Sequence, residues 1–289
     1  MSNRWFNLAI VLLWLASMSW LIAEKVAPPL RLGDRPAAPD SQVQPARTPV
    51  AWQLLLNDKP LGWAATDSVQ RPDRIVELRN RVHLDRFPLK EIAPWLARIF
   101  DPDGRDGDLP FDTDSRIELA DDRLLGFHTS LSFGEVKDAI LVHGTAEGTR
   151  LKLNVKAGEL AYNTTTDLAA DRLVGDSLSP RNRLAGLSVG QTWTEPVYNP
   201  MQPPTSPLQI LEATVERTEP IAWNGQIVKT SVVVYRDDPG AESASRLARA
   251  RAWVARDGEV LKQEVFLLGV KLLFVRLPPG QTLESLQAP

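Results

Sequence analysis

Cysteine is absent from the 289 residues, which removes disulfides, thiolate metal sites, thiol nucleophiles and lipid attachment through a cysteine together. Histidine is scarce. His83, His128 and His143 are the only three, and no two have the i, i+4 spacing of a helical zinc site. An excess of one charge is missing as well, with 33 Lys plus Arg against 36 Asp plus Glu and a formal net charge of −3. That balance excludes a polybasic nucleic-acid binder and an acidic tail protein. Aromatics do not interleave with Lys and Arg as a stacking platform for single strands requires, so no nucleic-acid partner is expected. At 43% hydrophobic and 24% charged residues the chain is not disordered. Local catalytic and phosphate-binding signatures are also lacking: no G-x-S-x-G elbow, no G-x-x-x-x-G-K-[ST] loop and no strand-bound G-x-G-x-x-G. The histidines lie in separate expected strands, in RVHL, GFHT and LVHG, and read as ordinary strand residues. The expectation is a non-enzymatic protein without catalytic residues; an unrecognised hydrolase would have to assemble its polar groups from distant strands.

One long apolar run is present. From Trp5 to Ala23 nineteen residues pass without a charge or a proline, close to the roughly 30 Å hydrocarbon core of a bilayer at helical rise. Trp5 and Trp20 sit near its ends, where indole rings favour the membrane interface. The reading is an uncleaved signal anchor, a transmembrane helix over residues 1–25 with the N-terminus in the cytoplasm. Competing readings are a cleaved signal peptide with a small-x-small site at Ser17-Met18-Ser19, and a buried core helix. Residues 26–50 then carry six prolines, at 28, 29, 36, 39, 45 and 49, which hold a chain near polyproline II and make a spacer of up to roughly 75 Å. The domain that follows would sit in the periplasm, tethered to the inner membrane by a single pass.

From Ala51 onward the pattern has period two. In Arg150–Ala157 the residues Leu151, Leu153, Val155 and Ala157 alternate with Arg150, Lys152, Asn154 and Lys156, which describes a strand with one dry and one wet face. Similar segments recur with turn signals between them, among them Asn224-Gly225, a dipeptide suited to a type I′ hairpin. About a dozen strands joined by short loops require antiparallel neighbours, and a twisted sheet of that size must curl, split or close. The expected fold is mainly β over 51–277: a large curved antiparallel sheet forming an incomplete barrel, with a short helix at 88–100 and a possible second at 241–248. Residues 166–207, Pro-rich toward their end, read as a long loop over one sheet face, and 278–289 as a C-terminal tail. Two similar modules, 51–165 and 185–277, are the alternative.

Two sets of residues stand out as candidate sites. Trp52, Trp63, Trp193, Trp223 and Trp253 lie in or beside expected strands, where they serve as core or line a cavity for a hydrophobic ligand. Asp101, Asp103, Asp106, Asp108 and Asp112 offer the oxygen ligands that Ca2+ prefers, although Arg105 and Asp106 occupy positions that break an EF-hand frame and favour a solvated Asx-turn loop. Apart from that cation no cofactor is expected.

The opening pair QLLLNDKPLGWA, the meander of amphipathic strands and the late element AWVARDGEVLKQEV resemble the incomplete β-barrel superfamily of periplasmic lipoprotein carriers (LolA/LolB-like) and its relatives of unknown function. The resemblance rests on Trp253-Val254, the turn at Asp257-Gly258, and Leu261, Lys262 and Glu264 in the following strand. It implies a concave face that binds an acyl chain or another hydrophobic group. The chain departs from lipid-anchored members in having no cysteine to modify. Fold alone does not fix function; the second expectation is an accessory or scaffold domain of an envelope enzyme complex, docking partner proteins through the 196–207 loop or a sheet edge.

Overall fold

The computed structural model describes residues 3–21, 49–71, 73, 75–87, 90, 97, 109–120, 123–167, 178–199, 208–237, 246–267 and 270–281. The apolar run forms one helix, α1 (Asn3–Leu21). Every side chain from Ile10 to Trp20 is exposed. Among the described residues no helix is long and apolar enough to cross a membrane, and the expected transmembrane segment is therefore not shown. The spacer lies outside the described residues up to position 48.

The remainder is mainly β: a single antiparallel sheet of fourteen strands in the order β8-β7-β6-β5-β4-β3-β2-β1-β14-β13-β12-β11-β10-β9. The strands are β1 (Val50–Leu56), β2 (Lys59–Gln70), β3 (Ile75–Phe87), β4 (Leu109–Ala120), β5 (Arg123–Phe133), β6 (Val136–Glu147), β7 (Arg150–Ala157), β8 (Leu160–Asp167), β9 (Thr192–Tyr198), β10 (Leu208–Trp223), β11 (Gln226–Arg236), β12 (Ala248–Ala255), β13 (Val260–Leu267) and β14 (Val270–Arg276). Two meanders, β1–β8 and β9–β14, meet where β1 pairs with β14 in one continuous sheet.

Local chemistry explains these elements. Burial along β7 alternates strictly, with Leu151, Leu153, Val155 and Ala157 inside. Tight hairpins turn on residues that accept the left-handed region: Asn57 and Asp58 at φ 50° and 64°, and Asn224 and Gly225 at 49° and 71°, as type I′ turns demand. Gly62 is required by close approach, because a Cβ there would stand 2.0 Å from the His83 carbonyl oxygen of the neighbouring strand.

Two expectations are corrected. The stretch read as a loop over 166–207 contains β9, whose Pro196 argued against a strand; β9 is a sheet edge, where a missing N–H is tolerated. Its last residues, 200–207, lie outside the described residues. The possible helix at 241–248 ends on Ala248, which opens β12; 238–245 lie outside the described residues, as does the 88–100 helix except for Lys90 and the buried Ala97.

The sheet curls so that distant strands meet. The Phe127 ring of β5 packs against Tyr198 of β9 at 5.5 Å, although these strands are far apart in the sheet order. One apolar cluster therefore runs through the inner face of both halves, from Leu151 and Val155 to Trp193 and Val197. Trp52, Phe87, Phe111, Phe133 and Phe274 are its large, fully buried members. Segment 178–191, ahead of β9, stitches the halves together. Asn182 takes the Thr66 hydroxyl of β2 on its side chain and an Arg276 N–H of β14 on its carbonyl at 3.1 Å.

Candidate functional site

Registered pairing arranges the inner face of β1–β8 in transverse rows. One reads Leu54, Gly62, Leu84, Phe111, Phe133, and the next reads Trp52, Ala64, Val82, Thr113, Leu131. A third reads Val50, Thr66, Asn80, Ser115, Thr129, Val142. A fourth returns to apolar residues with Leu78, Ile117, Phe127 and Gly144. A belt of four polar side chains on four adjacent strands thus crosses the core between aromatic rows, with Thr113 beside it. All five belt residues are buried.

Buried polar groups need partners, and an unmade hydrogen bond costs on the order of 1–3 kcal/mol. The Ser115 and Thr129 hydroxyls bond each other at 2.9 Å, and Thr66 donates to Asn182. Trp52 Nε1 and Thr113 Oγ1 differ: both are sealed from solvent and neither finds a hydrogen-bond partner among the described residues. An indole N–H only donates and a hydroxyl does both. Each of the two would be satisfied by an acceptor oxygen of its own. Three inter-strand spacings separate Trp52 from Thr113, about 14 Å between backbones.

On the same face of the other half stands an ion pair. The Arg181 guanidinium meets the Glu195 carboxylate in a two-pronged contact, one prong at 3.2 Å. It lies 5.0 Å from the centre of the Tyr235 ring, and Trp193 Nε1 donates to Glu195 at 3.3 Å. Burial works against the Arg181 charge, but Glu195 and Tyr235 outweigh it and leave the guanidinium above its usual pKa. Arg276 has the opposite balance: burial lowers its pKa despite Glu259 at 3.1 Å. Arg181 also fixes its segment to the sheet, its backbone N–H donating to Gln263 of β13 at 3.1 Å. These charges tie segment 178–191 in place.

The structure separates the tryptophans singled out by sequence. Trp52 and Trp193 lie in the inner cluster. Trp63 and Trp253 share a row on the outer face, running Asp112, His83, Trp63, Gln53, Val275, Lys262, Trp253, Val232. Trp63 stacks on His83 at 5.7 Å, and Trp253 lies under Lys262, whose ammonium is 4.5 Å above its ring. Trp223 at the tip of the β10–β11 hairpin donates to the Arg276 carbonyl at 2.8 Å. Five indoles therefore do not line one cavity. Sequence reasoning missed Thr66, Asn80, Thr113, Ser115 and Thr129, although polar residues at inward positions of β2–β5 are a signal that alternation exposes.

Of the acidic cluster, Asp101, Asp103, Asp106 and Asp108 lie outside the described residues. Asp112 is taken up by His83 Nδ1 at 2.7 Å and Lys137 at 4.0 Å. Among the described residues no group of three or more His, Asp or Glu is placed to hold a metal ion.

No known family matches the chain, and no curated protein does. Solved structures do. A β-barrel-like protein of a domain of unknown function, DUF1849, from Brucella abortus is similar at 8% identity with a TM-score of 0.47, covering 81% of this chain and 98% of that one. The hypothetical lipoprotein YmcC from Escherichia coli K12 is similar at 14% identity with a TM-score of 0.33, covering 83% and 92% respectively.

Proposed function

We propose that this chain is a non-enzymatic envelope protein, attached to the inner membrane through α1, whose β domain binds a lipid-like molecule on the inner face of β1–β5. The observation that carries the ligand reading is the pair of sealed, unpartnered groups on Trp52 and Thr113 within an apolar surround. Separate ester or amide oxygens of an acyl lipid supply one acceptor to each, and the neighbouring rows of Phe111, Phe133 and Phe127 suit its chain. Because both atoms are closed off, exchange requires the inner face to open and is slow. The carrier resemblance of the strand carrying Trp253 and Val254 and of Leu261, Lys262 and Glu264 agrees with this reading.

Membrane attachment is supported by the side chains of α1. From Ile10 to Trp20 they are exposed and apolar apart from Ser17 and Ser19, a surface that favours a membrane over water. Carbonate extraction tests this: the full chain stays with the membrane pellet, and release into the supernatant refutes attachment through α1. For the ligand, native mass spectrometry of full-length protein taken gently from membranes is expected to give an added mass that organic extraction recovers as lipid. A bare polypeptide mass refutes it. An accessory or scaffold role is the second reading, favoured by the open strand at the β8 edge.

A further inference from the structure

The two edges of the sheet are unlike. β9 is mostly buried and carries Pro196. β8, Leu160-Ala-Tyr-Asn-Thr-Thr-Thr-Asp167, is eight residues long and free of proline and lysine, and it is mostly exposed, with Leu160 at 65% and Tyr162 at 37%. Among the described residues it pairs with β7 alone, so one side of its backbone offers unused donors and acceptors. Natural edges are blunted by charge, proline, bulges or a cover, and over 160–166 this one carries no charge or proline and, among the described residues, no bulge and no second strand against it. Its composition is β-prone, with Tyr and a run of three Thr.

We infer that β8 pairs antiparallel with β8 of a second copy, joining two sheets edge to edge about a two-fold axis at Asn163. The register follows from the faces. Leu160, Tyr162, Thr164 and Thr166 stand opposite the inward residues Ala157, Val155, Leu153 and Leu151 of β7. Inner residues must meet inner residues across a new pair, and centring on Asn163 achieves this. Leu160 then faces Thr166 of the second copy, Tyr162 faces Thr164, and both exposed apolar side chains gain a neighbour. On the outer face Ala161 meets Thr165 and Asn163 meets itself, all uncharged. Glu159 and Asp167 oppose each other only at the ends, where Arg150, 3.7 Å from Asp167, offsets the repulsion. A strand pair of this length is smaller than a stable soluble interface. The pairing therefore rests on the proposed attachment through α1, which raises the local concentration of the two copies. The pairing does not depend on the ligand reading.

The absence of cysteine makes the test clean. Asn163→Cys in the full chain in membranes places two sulfurs on facing residues, about 4.5–5.5 Å apart at Cα and inside the disulfide range. Oxidation is expected to give a covalent homodimer. Ala161→Cys, offset by about 13 Å from its own copy, is expected to give none. Adding Ala161→Asp with Thr165→Asp to Asn163→Cys sets carboxylates opposite one another at exposed positions, and the dimer is expected to be lost while the circular dichroism of the sheet is retained. The inference is overturned if Asn163→Cys stays monomeric, if Ala161→Cys cross-links equally well, or if the product contains a different protein.

Discussion

The two halves of the sheet solve the same folding problem with different distributions of polarity. In β9–β14 the inner face carries the Arg181–Glu195 pair, Gln263 and Arg276, with Gln263 and Arg276 bonded to segment 178–191, while the outer face buries Val232, Val234 and Trp253 beneath charged side chains. Glu264 alone receives Arg251, Lys262 and Lys271 at 3.6 to 3.9 Å. In β1–β8 the outer face carries histidine, asparagine and threonine around a shallow groove of about 380 Å³ at His143, Lys152, Asn154 and Asn163. Its inner face carries the hydroxyl belt, and its edge is open. The difference teaches where to look for function. Charged groups in the C-terminal half mostly pair with one another, although Arg236 Nε is sealed without a hydrogen bond among the described residues; in the N-terminal half Trp52 Nε1 and Thr113 Oγ1, the latter beside the polar belt, are in the same position.

Breaking the C-terminal half gives the largest expected effect. Arg181→Met leaves Glu195 buried beside only the Trp193 N–H, and the loss of a buried partner costs about 3–5 kcal/mol. Urea unfolding of the variant measures it. Adding Glu195→Gln removes the stranded charge and is expected to recover most of the loss, as it would not if Arg181 contributed by packing alone. In the N-terminal half, Gly144→Ala comes next. A Cβ at Gly144 would stand 2.1 Å from the Phe127 ring, forcing it off Tyr198, and overpacking of this kind costs about 1–3 kcal/mol. A lowered melting temperature with loosened contact between the halves, read as faster amide exchange in β5 and β9, is the expected result.

How far the sequence discloses these contrasts depends on whether a feature is local. Strand alternation in 150–157 and the Asn-Gly turn at 224–225 are local, and the antiparallel meander was legible from them. Strand β9 was hidden by Pro196, because only the sheet order shows that β9 is an edge. The belt required register as well. Thr66, Asn80, Ser115 and Thr129 are spread over sixty-four positions in the chain, and no spacing rule joins them until β2 to β5 are aligned. Tryptophans attracted attention by size, yet alternation divides Trp52 and Trp193 from Trp63 and Trp253 once strand registers are fixed.

A smaller and more discriminating effect separates stability from binding. Thr113→Val replaces an unpartnered hydroxyl by a methyl of similar volume and is expected to stabilise the ligand-free protein by about 1 kcal/mol. Ligand carried through purification should fall in the same variant, since an acceptor oxygen loses its donor. Stability and occupancy moving in opposite directions is the signature of a site. A fall in both makes Thr113 a packing residue and returns the N-terminal half to the same architectural role as its partner.

The smallest effect compares matched outer-face carboxylates, one in each half. Glu77 is held below the usual carboxylate range by the hydrogen bond from Arg79, with Arg71 adding to it against the cost of burial. Glu219 is lowered by the Trp253 indole N–H, with Arg217 and Lys262 assisting. For a depressed carboxylate the folded state binds its proton less readily than the unfolded chain. The stabilisation is therefore complete above the ordinary carboxylate pKa and is lost as pH falls through the lowered folded value. Glu77→Gln and Glu219→Gln should each reduce stability at neutral pH by about 1 kcal/mol or less and flatten its decline in acid. Glu77 is almost fully buried and faces two arginines, whereas the Glu219 side chain is 30% exposed. Urea midpoints from neutral pH down to 3 should therefore change more for Glu77→Gln. Equal flattening in the two variants would mean that the halves, unlike inside, are electrostatically equivalent outside.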